Sequence, residues 1–191
     1  MIGKLIEKAI SEHLQYYLIT NNFIYPNQLE SLRQQYTTDV GLFQTHLIYS
    51  GWVKRLQTST LAFYIVQFFL SLNNYLIPLI FKKVGYNTRI STFFSDYLIG
   101  RKICYLWNSF ISPFFSMDVG VSQGSAFSPI LSILFITLIF YIFEKRIKNL
   151  NILISFHSFI DDGLFISQEK LFIKMNANLF CCYNIMLLLL N

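Results

Sequence analysis

Two long stretches of this chain carry no charged side chain, Leu56 to Phe81 and Val119 to Phe143. Any stable fold must bury most of both, in a protein core or in lipid, because apolar surface on this scale is costly to leave in water. On residue count each could cross a hydrocarbon layer of about 30 Å. The first, however, contains Gln57, Thr58, Ser59, Thr60, Gln67, Ser71, Asn73, Asn74 and Pro78, and the second opens on Gly120-Val-Ser-Gln-Gly-Ser125. Uniform apolarity is confined to Pro129–Phe143, which is short for a span. A buried core helix is therefore the expectation there, and a multi-pass membrane protein is the competing reading. With 54% apolar and only 13% charged residues the chain is not intrinsically disordered, and 191 residues suit one domain that needs no disulfide staples.

The charges are unevenly placed. Residues 1–110 hold ten Lys/Arg and five Asp/Glu, whereas residues 111–191 hold five of each, so the whole excess lies in the first part. Basic pairs recur at Lys54-Arg55, Lys82-Lys83 and Arg101-Lys102, a pattern that suits a solvated surface, a polyanionic partner or the flanks of membrane segments. Cys104, Cys181 and Cys182 are odd in number and lack metal-type spacing, which points to a reducing compartment. Lys4, Glu7, Lys8 and Glu12 interrupt any apolar region at the start, so no signal peptide is expected and an intracellular location, nuclear or cytoplasmic, follows.

Periodicity predicts an amphipathic helix over Ile2–Asn21, with Lys4, Lys8 and Glu12 off its apolar stripe. A second helix is predicted from about Thr37 towards Tyr49, and a strand buried on both faces in the first part of Ser59–Phe69. Asn73-Asn74 can cap a helix closed by Gly85, in which Pro78 is a local inconsistency unless it falls in the first turn. Thr88 starts another helix, closed by Gly100. Lys102–Trp107 and Phe114–Val119 read as a hairpin, and Ser128-Pro129 as a helix start with a capping hydroxyl. Ile152–Phe159 and Leu164–Ile166 read as strands joined through Asp161-Asp162-Gly163, before a last helix that starts near Lys170. One mixed α+β domain is the expected fold.

Two constellations could carry chemistry. Adjacent carboxylates at Asp161-Asp162, between Phe159-Ile160 and Leu164-Phe165, repel each other and gain from a hard cation with oxygen preference; an ordinary exposed Asp-Gly turn is the plain alternative. In Gly120-Val-Ser-Gln-Gly-Ser-Ala-Phe-Ser-Pro129, two glycines allow close approach to a ligand. Gln123 and Ser125 offer hydrogen bonds there, and the helix beginning at Ser128 presents its positive end.

These two elements, in this order, resemble the Gly-Val-Pro-Gln-Gly-Ser…Ser-Pro and Tyr-x-Asp-Asp motifs of reverse transcriptases, with spacing that suits the non-LTR retrotransposon branch. Ile2-Gly-Lys-Leu-Ile-Glu-Lys8, Pro26-Asn-Gln28 and Leu32-Arg…Thr37-Thr-Asp39 resemble the fingers segment of the same family. The resemblance implies a right-hand polymerase palm on a small, mainly antiparallel sheet packed with helices. Residues 1–58 would belong to partial fingers and 59–191 to the palm, without the thumb and without the family's basic triphosphate contacts. It implies RNA-directed DNA synthesis on an RNA template and DNA primer with nucleoside triphosphates, through two magnesium ions. Asp161 and Asp162 match the metal-holding catalytic carboxylates. Phe69 matches the aromatic gate against a ribose 2′-hydroxyl, though core packing is its plain alternative, and Gln123 and Gly124 match the loop beside the incoming nucleotide. The family's third carboxylate falls at Tyr64, and no Asp or Glu occurs between Val40 and Ser95 to replace it. A phenol of ordinary pKa, about 10, is a poor magnesium ligand, so the resemblance implies an inactive copy, with a non-catalytic nucleic-acid-binding relic as the alternative.

Overall fold

The computed structural model describes residues 2–28, 37–122, 124–152, 154–159 and 162–190. The fold is mixed α+β, with small antiparallel sheets. In chain order its elements are α1 (Ile2–Thr20), α2 (Thr37–Val53), β1 (Gln57–Tyr64), α3 (Phe68–Ser71), α4 (Leu76–Lys83), α5 (Thr88–Leu98) and β2 (Arg101–Ile103). There follow β3 (Leu106–Trp107), β4 (Phe110–Ile111), β5 (Phe115–Met117), α6 (Ser128–Asn149), β6 (Ile154–Phe159), β7 (Asp162–Glu169) and α7 (Phe172–Leu190). The chain forms two compact units, one of residues 1–14 and 67–135, the other of residues 15–66 and 136–191.

The second unit is built on a three-stranded sheet of order β1-β7-β6. Residues directly opposite in an antiparallel pair share a face. One face therefore carries Phe63, Phe165 and Phe156, and α6 covers it: Phe143 lies 5.2 Å from Phe165 and 4.9 Å from Phe156, ring centre to ring centre. On the other face α2 is held by Gln168, whose Nε2 donates to the Leu47 carbonyl at 2.6 Å, and by Phe43, whose ring lies 4.2 Å from that of His157. β1 is an edge strand, so it alternates between half-buried and exposed positions instead of being buried on both faces as its composition suggested.

The apolar run at Pro129–Phe143 is a core helix, as expected. Ile130, Leu131, Ile133, Leu134, Ile136, Ile139, Phe140 and Phe143 are all buried. The described helix long and apolar enough to cross a membrane is instead α7. Its buried residues Met175, Leu179, Cys182 and Met186 recur at helical spacing, and it packs against β7 and β1. Burial, with Cys181 adjacent, pushes the Cys182 thiol up to about 12, so it stays protonated. All three cysteines are free thiols.

In the first unit α4 and α5 meet through stacked Phe81 and Phe94, 4.7 Å apart, and Phe127 closes the cluster 5.0 Å from Phe94. Pro78 sits in the first turn of α4, where its missing N–H breaks no helical bond, and its carbonyl accepts from Ser91 Oγ at 3.1 Å. The expected hairpin forms in two pieces. β2 pairs with β5 and β3 with β4, interrupted where Pro113 has no donor to give a ladder.

His157 yields a test. It is 3% exposed on β6, and among the described residues neither ring nitrogen has a hydrogen-bond partner. Burial lowers its pKa from the ordinary 6.5 to about 4. An unfolded chain binds the proton below pH 6.5 while the folded one refuses it until about pH 4, so stability is intact above 6.5 and falls through that window. We predict that urea denaturation shows a loss of about 2 kcal/mol between pH 7.5 and pH 5 attributable to this group, and that His157→Leu flattens that part of the slope. An unchanged slope in the variant would show that the imidazole is not the group responsible.

Candidate functional site

The carboxylates and the glycine loop lie in different units. In the second unit β6 and β7 form the expected hairpin, with Phe159 paired to Asp162. Asp162 and Gly163 belong to β7 itself and are not turn residues; Asp161 lies outside the described residues. The reason Gly163 is a glycine is correspondingly different from turn chemistry. Its cross-strand partner is Phe63, whose ring occupies the volume that a Cβ at Gly163 would take. That ring also stacks on Phe165 at 4.8 Å, so it has little freedom to move aside.

One step along the same ladder, Tyr64 pairs with Asp162. Opposite side chains in such a pair have Cβ atoms roughly 4.5–5.5 Å apart on one face, and both residues are exposed. The position at which the resemblance would put a third carboxylate is thus the neighbour of the acidic hairpin, occupied by a phenol. Among the described residues no three His, Cys, Asp or Glu side chains come together in a metal-type group.

In the first unit the Gly120–Pro129 segment is fixed from both ends. Gly120 has φ +84°, and a Cβ there would lie 2.7 Å from the Leu70 carbonyl oxygen. This closeness lets Gly120 N–H donate to Leu72 O and Val121 N–H to Phe69 O, each at 2.7 Å. The close approach that the sequence suggested for a ligand is here made to the chain's own backbone. It also sets Phe69 beside the loop: Phe68 is buried in the core, while Phe69 is half-buried and lines a cavity of about 380 Å³ together with Gly124, Ser125, Lys4 and Lys8. Gln123 lies outside the described residues.

One hydroxyl organises the loop. Ser125 Oγ donates to Glu7 Oε2 at 2.9 Å, so its lone pairs accept from Phe127 N–H at 3.2 Å and from Tyr97 O–H at 3.0 Å. Glu7 also accepts from Ala126 N–H at 3.3 Å, and Ser11 Oγ donates to Ala126 O at 2.8 Å. Glu7 thus holds the backbone just ahead of α6, at the Ala126 N–H, and the Ser128 hydroxyl donates to Ser122 O at 2.5 Å instead of capping the helix. Sequence reasoning missed Glu7, Ser11 and Tyr97. The spacing Lys4, Glu7, Lys8, Ser11 was a second stripe on α1, legible as a polar face but without an indication of what it meets.

Pro26-Asn27-Gln28, part of the fingers-like pattern, has a structural task in the second unit. Gln28 is buried, accepts from Thr137 Oγ1 at 2.8 Å and bridges to Ser158 of β6. Leu32 and Arg33 lie outside the described residues. No model of a known protein family matches the chain, and no curated protein matches it significantly in sequence.

Removing the Ser125 hydroxyl leaves Glu7, Tyr97 and Phe127 each short of a partner. We predict that Ser125→Ala lowers stability by about 1–3 kcal/mol in urea denaturation, the usual cost of unpaired, partly buried polar groups. A loss too small to measure would show that the loop is held by other contacts.

Proposed function

We propose that the chain is a reverse transcriptase-like palm whose polymerase chemistry is disabled at Tyr64. The observation that carries this reading is the register Tyr64↔Asp162 beside the β6–β7 hairpin. The family motif asks for a carboxylate at that position, and the sequence has none within reach of a modest misalignment. The small antiparallel sheet with helices on its faces supports the same reading, as does Phe69 beside Gly124 in one cavity. RNA template, DNA primer and nucleoside triphosphates are the substrates this ancestry implies.

The donors do not fit a magnesium pair. Two hard cations need several carboxylate oxygens held together, whereas Asp162, the described member of the acidic pair, faces a phenol. Exposed Lys54, Arg55, Lys82, Lys83 and Lys102 favour residual nucleic-acid binding over an inert fragment.

The test is metal binding followed by magnesium-dependent primer extension on an RNA template. The parent chain is expected to extend no primer. Tyr64→Asp is expected to bind Mn2+ at least about tenfold more tightly than the parent, about 1.4 kcal/mol, and to lose the gain when Asp162→Asn is added. Equal Mn2+ affinity for Tyr64 and Tyr64→Asp, or extension by the parent, would contradict the reading.

A further inference from the structure

Residues 102–111, which hold β3, its turn and β4, are all exposed. The register Leu106↔Ile111 and Trp107↔Phe110 sorts four apolar side chains two to each face of this ribbon. Trp107 is 77% exposed and Leu106 71%, so neither face is packed against the rest of the fold. The ribbon is closed at its base, where Tyr105 N–H donates to Ser112 Oγ at 2.8 Å and Ser112 N–H to Tyr105 O at 2.9 Å. A two-stranded ribbon alone is only marginally stable in water, and an apolar one gains from being covered.

The chemistry of the ribbon constrains what covers it. A flat protein surface takes one face and leaves the other wet, whereas a fluid apolar layer takes both. The ribbon is a sheet of two strands, so its outer edges keep backbone N–H and C=O groups that need water. That requirement excludes hydrocarbon depth and fits the interfacial zone of a bilayer, where Trp and Tyr rings settle. Tyr105, Trp107 and the polar Asn108-Ser109 turn all suit that level.

The charges agree with a lipid surface. Between Tyr97 and Met117 the charged residues are Arg101 and Lys102, at the root where β2 pairs with β5; Asp96 and Asp118 lie outside that stretch. Neither base forms an ion pair among the described residues: Arg101 lies over the Tyr97 ring at 5.2 Å, and Lys102 is exposed. Bases beside an aromatic insertion match an anionic headgroup layer. Two cations are few for a phosphate backbone, and Leu106 and Ile111 have no ring on which a base could stack, so nucleic acid is the poorer fit.

We propose that the β3–β4 ribbon is a membrane-contact arm that places Leu106, Trp107, Phe110 and Ile111 in the interfacial layer of an anionic bilayer, with Lys102 on the headgroups. Attachment of this kind needs no spanning helix and is independent of the palm reading.

The experiment is co-sedimentation of the whole chain with vesicles of equal parts phosphatidylcholine and phosphatidylserine, and with vesicles of phosphatidylcholine alone. Trp107 emission is read in a Trp52→Phe background, since the chain has two tryptophans. The parent is expected to bind the anionic vesicles, with Trp107 emission shifted to shorter wavelength. Trp107→Ser/Phe110→Ser should weaken partitioning at least about tenfold with an unchanged circular dichroism spectrum. If that spectrum changes, the Trp107 emission of the intact ribbon decides, and an unshifted emission overturns the proposal. Lys102→Gln should weaken binding about fivefold on anionic vesicles and leave neutral vesicles unaffected. Phe172→Ser/Ile173→Ser, at the exposed start of α7, should stay within a few-fold of the parent. Binding lost in the α7 variant and kept in the ribbon variant overturns the proposal. So does absence of vesicle binding, whether or not the ribbon then mediates self-association in sedimentation velocity or binding of single-stranded RNA.

Discussion

The stacking of Phe165 between Phe63 and Phe143 is the contact on which the second unit depends. Phe165 is fully buried on the central strand, with the edge strand's ring at 4.8 Å and the core helix's ring at 5.2 Å. A one-residue slip of β1 against β7 would turn Phe63 to the opposite face and leave a void at Phe165. It would also remove the ring that fills the side-chain space at Gly163. Packing therefore fixes register, and register puts Tyr64 opposite Asp162. That polar pairing follows from hydrophobic complementarity in the residues beside it.

The first unit achieves its order with polar contacts over an aromatic base. Phe81, Phe94 and Phe127 form the apolar support, and above it Ser125 joins α1, α5 and the start of α6 through one hydroxyl. Glu7 takes the Ala126 N–H ahead of α6, while Lys4 and Lys8 line the cavity beside the loop. This separates two roles that share one helical face: the acid and Ser11 hold the loop, and the lysines face the space the loop leaves.

Much of the architecture was legible in the sequence because it rests on local signals. The existence of α1, the Ser128-Pro129 start of α6, the terminal helix and the two strands around Asp161-Asp162 all follow from spacing and turn chemistry, whereas the apolar stripe of α1 is buried at Leu14 and Leu18 but exposed at Ile2, Leu5 and Ile6. Reading failed where a residue's reason lies far along the chain. Gly163 looked like a turn glycine because its neighbours are aspartates, whereas its determinant is the ring of Phe63. Gly120 looked poised for a ligand and instead faces the Leu70 backbone. Ser128 was read as a cap, yet the hydrogen bonds at that helix start come from Ser125 and Glu7.

Everything said of the acidic hairpin rests on Tyr64 being in register with Asp162 at the start of β7. Cross-strand backbone nuclear Overhauser contacts in an isotopically labelled sample measure that register directly. Contacts are expected to join Tyr64 to Asp162, Phe63 to Gly163 and Leu61 to Phe165, with the Phe63 ring protons close to the Gly163 α-protons. Contacts joining Asp162 to a different residue of β1, or a Tyr64 outside the sheet, would contradict it.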